Sequence, residues 1–191
     1  MELITRRIKR DGHVLNGNML LVDSFLNHQI DMPLMREVGR AFASRFQGRG
    51  VTRVMTVESS GIAPAGMAAL EMGVPLVVFK KRVSRIANGS VYQTNVQSYT
   101  KNTRYEMTVA KRFLPAGERI LFIDDFLAAG EAAAGACKLI EEAGSAVEGI
   151  GIVIEKTFQP GRRRVDDMGY EVFSLARIRS MSADGIEFME D

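Results

Sequence analysis

Two adjacent carboxylates, Asp124 and Asp125, close an apolar run in the stretch ILFIDDFLAAGEAAAG (residues 120–135). A loop of small residues follows them. Ala128, Ala129 and Gly130 are small enough for a phosphate to approach the backbone amides where a helix is expected to start, at the positive end of its dipole. Acids in direct contact with that phosphate would repel it. The arrangement makes sense when a polyol lies between the two, its hydroxyls donating to the carboxylates while its phosphate sits on the loop. Ribose 5-phosphate has that layout, a diol at one end and a phosphate at the other. A metal site and plain capping carboxylates are the other readings that this spacing allows.

A second candidate anion site is ESSG (58–61), two hydroxyls and a glycine after the run RVMTV. Glycine lets successive N–H groups turn into a concave nest, and a following helix adds its positive end. An ordinary capped helix start satisfies SSGIAP equally well. A third feature is charge. From Lys80 to Arg112 there are eight basic residues, Lys80, Lys81, Arg82, Arg85, Lys101, Arg104, Lys111 and Arg112, against Glu106 alone, although the whole chain carries only +2. Such a stretch is a solvated face, a nucleic-acid patch or a polyphosphate clamp.

The elements that must position these groups follow from hydrophobic period. Asp31 and Pro33 open a helix whose apolar residues Leu34, Val38, Ala41, Phe42 and Phe46 recur at helical spacing, with Gly48 and Gly50 beyond it. RVMTV (53–57), PLVVF (75–79), RILFI (119–123) and VEGIGIVIEK (147–156) are apolar almost throughout, as in strands covered on both faces. EVFSLA (171–176) is a further strand. ESSGIAPAGMAALEMG holds a short helix closed by Gly73, and EAAAGACKLIEEAG a longer one with Cys137, Ile140 and Ala143 inward. SVYQTNVQSY (90–99) and RYEMTVA (104–110) alternate and read as paired strands or a mobile hairpin. Strands alternating with helices predict an α/β fold with a mostly parallel sheet, which binds ligands beyond the carboxyl ends of its strands.

At 191 residues the chain fits one domain. Residues 1–30 and about 177–191 are expected to form a small hood lobe on a core of 31–176. No apolar stretch approaches the ~20 residues of a membrane helix. The segment MELITRRIKRDGHV lacks the apolar region and cleavage site of a secretory signal. One cysteine, Cys137, with His13 and His28 offers neither a disulfide framework nor a zinc cluster at the usual spacings, so no metal site built from protein ligands is expected. A cytoplasmic setting is expected. GEAAAGACK lacks the Lys and Ser/Thr of a P-loop, and GIGIVI lacks the third glycine of a dinucleotide loop. Glu58 stands where a nucleophile elbow needs glycine.

ILFIDDFLAAGEAA resembles the phosphoribosyl diphosphate (PRPP) motif of type I phosphoribosyltransferases. VDSFLNHQID (22–31), VESSGIAPA (57–65) and GIGIVIEKTFQPGR (149–162) are similar to segments of the xanthine-specific bacterial members of that family. The likeness spans nearly the full chain. It departs at the loop, where Ala129 and Glu131 replace residues that usually carry side-chain amides. The resemblance implies the type I phosphoribosyltransferase fold and a homodimer acting on PRPP and xanthine. Asp124 and Asp125 would hold the ribose hydroxyls, and Ala128, Ala129, Gly130, Glu131 and Ala132 the 5-phosphate. Ser59, Ser60, Gly61, Lys80 and Lys81 would meet the diphosphate, and Leu20, Asn27 and Lys156 the base. Mg²⁺ would arrive with PRPP rather than in a protein cage, and residues 82–104 would form a lid. The alternatives are transfer to guanine, hypoxanthine or adenine, or a PRPP-sensing regulator of nucleic acid. A core strand starting near residue 53 leaves no room for a separate winged-helix domain, so no nucleic-acid partner is expected.

Overall fold

The computed structural model describes residues 2–16, 19–81, 90–98, 103–182 and 185–190. Its centre is a six-stranded sheet. In chain order the strands are β3 (Arg53–Val57), β4 (Leu76–Phe79), β7 (Arg119–Leu127), β8 (Ala146–Lys156), β9 (Val172–Ser182) and β10 (Gly185–Phe188). Their spatial order is β10-β9-β8-β7-β3-β4, parallel except for the antiparallel edge pair β9–β10. Smaller antiparallel pairs are β1 (His13–Leu15) with β2 (Met19–Leu21), and β5 (Val91–Ser98) with β6 (Thr103–Ala110).

Helices cover both faces because each buried strand is apolar in both directions. Along β7, Leu121 and Ile123 join a core with Phe25, Met35, Val38, Phe42 and Ala68. That core is formed by α1 (Glu2–Asp11), α2 (Met32–Arg45) and α3 (Ile62–Met72). The alternate residues Ile120 and Phe122 join Met55, Ala136, Cys137 and Ile140 on the opposite face. There α4 (Glu131–Glu142) and α5 (Gly161–Asp167) pack with the β5–β6 pair. Period two along the strand thus feeds two cores. Asp31 caps α2 by accepting a bond from Leu34 N–H at 3.1 Å, and Gly73 ends α3 in the left-handed region.

The parallel sheet and its helices match the predicted architecture, with two corrections to strand ends. β7 does not stop at Ile123 but runs through the acid pair to Leu127, because β8 is long enough to keep pairing with it (Asp124↔Ile152, Leu127↔Glu155). β9 likewise extends past residue 176 to Ser182, where β10 folds back on it. The N-terminal segment packs Ile4 and Ile8 into the same core as Leu175, Ile178 and Ile186.

From β3 the chain proceeds outward to β4, and from the adjacent β7 it proceeds the other way to β8 and β9. The β3/β7 junction is therefore where connections diverge, and a crevice opens there beyond the carboxyl ends.

Candidate active site

A cavity of about 430 Å³ occupies that crevice. Among its lining residues are Asp124, Asp125, Ala128, Ala129, Gly130, Glu131, Ala132, Ser59, Ser60, Lys81, Leu20, Asn27 and Lys156. Segments far apart in sequence thus meet in one space. Two of the anticipated residues do not line it. Lys80 turns its ammonium to Glu58 at 3.2 Å, and its backbone exchanges two hydrogen bonds with Thr108. Gly61 lies beneath the cavity. A Cβ there would sit 2.2 Å from Thr56 Oγ1 and 2.8 Å from Asp124 Oδ1, so the role of this glycine is close packing against the acid.

The two acids differ. Asp124 is buried, and its Oδ1 accepts from Asp125 N–H at 3.0 Å; Asp125 Oδ1 accepts from Phe126 N–H at 3.0 Å. One oxygen of each carboxylate is thus tied back to the backbone. Burial first, and the neighbouring Asp125 charge second, push Asp124 well above the usual carboxylate range. Thr56 Oγ1, buried beside this acid, has no hydrogen-bond partner among the described residues.

Beyond β7 the chain turns through Ala128 and Ala129 to Gly130, whose φ of +78° places it in the left-handed region. The first bond that closes α4 is Ala134 N–H to Gly130 O at 2.9 Å. The amides before it belong to the orphan donors of a helix start, in a segment (residues 128–133) that lines the cavity. The loop is fastened from behind, where Gly161 N–H donates to Ala128 O at 2.8 Å. Glu131 is ion-paired with Arg164 at 2.7 Å.

In the turn after β3 the Glu58–Ser59 peptide bond is cis. Glu58 also accepts from Lys81 N–H at 2.6 Å. Burial alone would raise its pKa, but the Lys81 amide and the Lys80 ammonium together hold it below the usual range. At the end of β8 Lys156 Nζ lies 5.8 Å from the Phe126 ring centroid, and burial lowers its pKa.

Sequence reasoning missed Glu58, Phe126, Gln97 and Tyr105, all of which line the cavity. Strand alternation past Asp124 was a signal for Phe126. Tyr105 had none, since it arrives from β6; burial first, then the Asp124 charge, pushes its hydroxyl up to about 12. Lys81 Nζ lies 5.4 Å from its ring centroid. Cys137 is buried in the core, as expected. His28 is exposed and outside the cavity lining. No group of three or more His, Cys, Asp or Glu among the described residues could hold a metal ion.

A parallel sheet with an acid pair at the end of a central strand, followed by a small-residue loop into a helix, fits the phosphoribosyltransferase class. The family model "Phosphoribosyl transferase domain" matches residues 26–183, and the chain belongs to this family. Xanthine phosphoribosyltransferase 1 of Clostridium botulinum is 53% identical over 190 residues, covering 100% of both chains. The xanthine phosphoribosyltransferase of Listeria innocua is 49% identical over 191 residues, again covering 100% of each. Among solved structures, adenine phosphoribosyltransferase from Giardia lamblia superposes with a TM-score of 0.77 at 22% identity. The match covers 91% of this chain and 97% of that one, a likeness of fold.

Proposed function

We propose that this chain is a purine salvage enzyme, transferring the 5-phosphoribosyl group from PRPP to N9 of xanthine and releasing diphosphate and xanthosine 5′-monophosphate. The observation that carries the reading is the meeting of the acid pair, the phosphate loop and Lys156 on one cavity. The full-length relatives named for xanthine support the choice of base.

As N9 attacks, the C1–O bond breaks and its electron pair leaves with the diphosphate. The ribose ring gains oxocarbenium character. Asp124 and Asp125 accept hydrogen bonds from the 2′- and 3′-hydroxyls and place negative charge near the developing cation. The amides at the start of α4 hold the 5-phosphate, keeping C1 oriented. Amides of the Ser59–Ser60 turn and the Lys81 ammonium take up charge on the departing diphosphate. Mg²⁺, which the family typically uses with PRPP, would neutralise part of that charge. Oxygen donors from substrate phosphates and water suit this ion, and the donor set around the cavity fits that mode of entry. Lys156 has lost hydration through burial, so an anionic or oxo-rich base is favoured beside it, and xanthine ionises more readily than hypoxanthine or guanine. Asn27 offers a donor and an acceptor to the base edge.

The proposal extends to a lid, a homodimer and a cytoplasmic setting. Residues 82–89 and 99–102 of the anticipated lid lie outside the described residues. The intervening arms, β5 and the start of β6, are paired along their length and bury Val96 in the core. Among the described residues no helix is long and apolar enough to cross a membrane.

The test is turnover with PRPP, Mg²⁺ and each of xanthine, guanine, hypoxanthine and adenine, repeated in Lys156→Ala and Asn27→Ala. Wild type should prefer xanthine. Losing one hydrogen-bonded charge beside the base should raise its KM roughly ten- to a hundredfold in Lys156→Ala. Asn27→Ala should narrow the gap between bases without abolishing catalysis. A wild-type preference for adenine, or ratios that move in neither variant, would refute this pocket.

A further inference from the structure

The triplet Arg162, Arg163, Arg164 at the start of α5 plays no part in the chemistry above. Each arginine has its own acid. Arg162 pairs with the buried Glu155 of β8, Arg163 with the exposed Asp167 at 3.8 Å, and Arg164 with Glu131 at 2.7 Å. Only the last of these acids lines the cavity.

Glu131 occupies an awkward position. It is the first residue of α4. The helix dipole and the orphan amides draw its carboxylate inward, towards the place where a phosphate dianion has to bind. An unpaired Glu131 would compete with the phosphate for those amides and repel it. Arg164 stands where it can prevent both. Its helix is anchored to the loop, since Gly161 donates to Ala128 O, and a Cβ on Gly161 would lie 2.3 Å from that oxygen and 2.9 Å from Gly130 N. A guanidinium one turn further along α5 is therefore held in fixed relation to the loop that Glu131 follows.

We propose that Arg164 is a positioning residue for the 5-phosphate loop, drawing Glu131 away from the amides and cancelling its charge so that the loop accepts a phosphate dianion. The inference rests on the phosphoribosyl transfer reading and adds to it an electrostatic device particular to this pair of side chains. Arg164 touches no reacting atom; it acts through Glu131.

A double-mutant cycle tests this. Arg164→Ala should raise KM for PRPP about fivefold, the scale of one partly exposed charge contact, with kcat at saturation and KM for the base little changed. Arg164→Lys keeps the charge and should recover most of the loss. Glu131→Gln should lower KM for PRPP, because it removes the competitor. The decisive arm is Glu131→Gln combined with Arg164→Ala, in which KM for PRPP should return to or below the wild-type value. Thermal melts of all four variants check that each is folded. A double variant that keeps the raised KM of Arg164→Ala would overturn the inference, as would an Arg164→Ala enzyme with unchanged KM, and both would leave the transfer reading standing. Absence of PRPP turnover in wild type with every base would overturn the transfer reading and this inference together.

Discussion

Asp124 and Asp125 are neighbours with different surroundings. Asp124 lines the cavity but is only 7% exposed, and its ionised form is opposed first by burial and then by the Asp125 charge. The folded-state pKa therefore lies above the unfolded value of 3.8. Between those two values the unfolded chain binds fewer protons, so stability falls as pH rises through that window and stays low above it. Asp124→Asn should accordingly raise Tm at neutral pH. The gain should shrink on acidification towards pH 4. Asp125→Asn lacks that burial and should chiefly lower kcat, by about 10²-fold for loss of one preorganised charge. Calorimetry from pH 4 to 8 with steady-state kinetics separates the two; an Asp124→Asn protein less stable than wild type at pH 7 would contradict the burial argument.

Elements owe their positions to a few close approaches. The β5–β6 pair lies against α4 at Gly135, where a Cβ would come 2.8 Å from Val96 Cγ2 and 3.4 Å from Thr94 Cγ2. The same pair is stitched to the end of β4 by the Lys80–Thr108 bonds. Both contacts fix Tyr105 over the cavity and set where the proposed lid is rooted. Gly135→Val should overpack this seam at a cost of about 1–3 kcal/mol. Amide exchange along Thr103–Ala110 should then accelerate, while exchange in β8, on the far side of β7, stays slow. Equal acceleration in both would mean that the seam is not a local joint.

On the scale of the whole molecule the cavity draws on β2, β3, β5, β6, β7, β8 and α4. A ligand held there bridges elements that must separate on unfolding. PRPP with Mg²⁺ should therefore raise Tm in proportion to the logarithm of its concentration, with about 2.7 kcal/mol expected at a hundred times Kd. Differential scanning fluorimetry over a PRPP series measures this, with xanthine alone as the comparison. Light scattering on the same samples tests the proposed dimer.

Much of this was legible in the chain itself, for physical reasons that differ between its parts. The proposed phosphate loop was legible as a candidate because the groups it would offer are backbone amides within one turn of Gly130, and small residues followed by a helix start are a local property. The strands could be read because burial on both faces demands continuous apolar runs, and RVMTV and RILFI have no other stable use. What the sequence left open were contacts between segments: Tyr105 above Asp124, Gly61 beneath it, Lys80 turned to Glu58, and Arg164 holding Glu131. Where β7 ends was also undetermined, since only the length of its partner β8 carries pairing past the acids. No spacing rule specifies these, because each depends on which strands the sheet sets side by side. Local backbone chemistry determined which groups this protein can offer a phosphate and a sugar; the packing of distant elements decided which charges stand beside them.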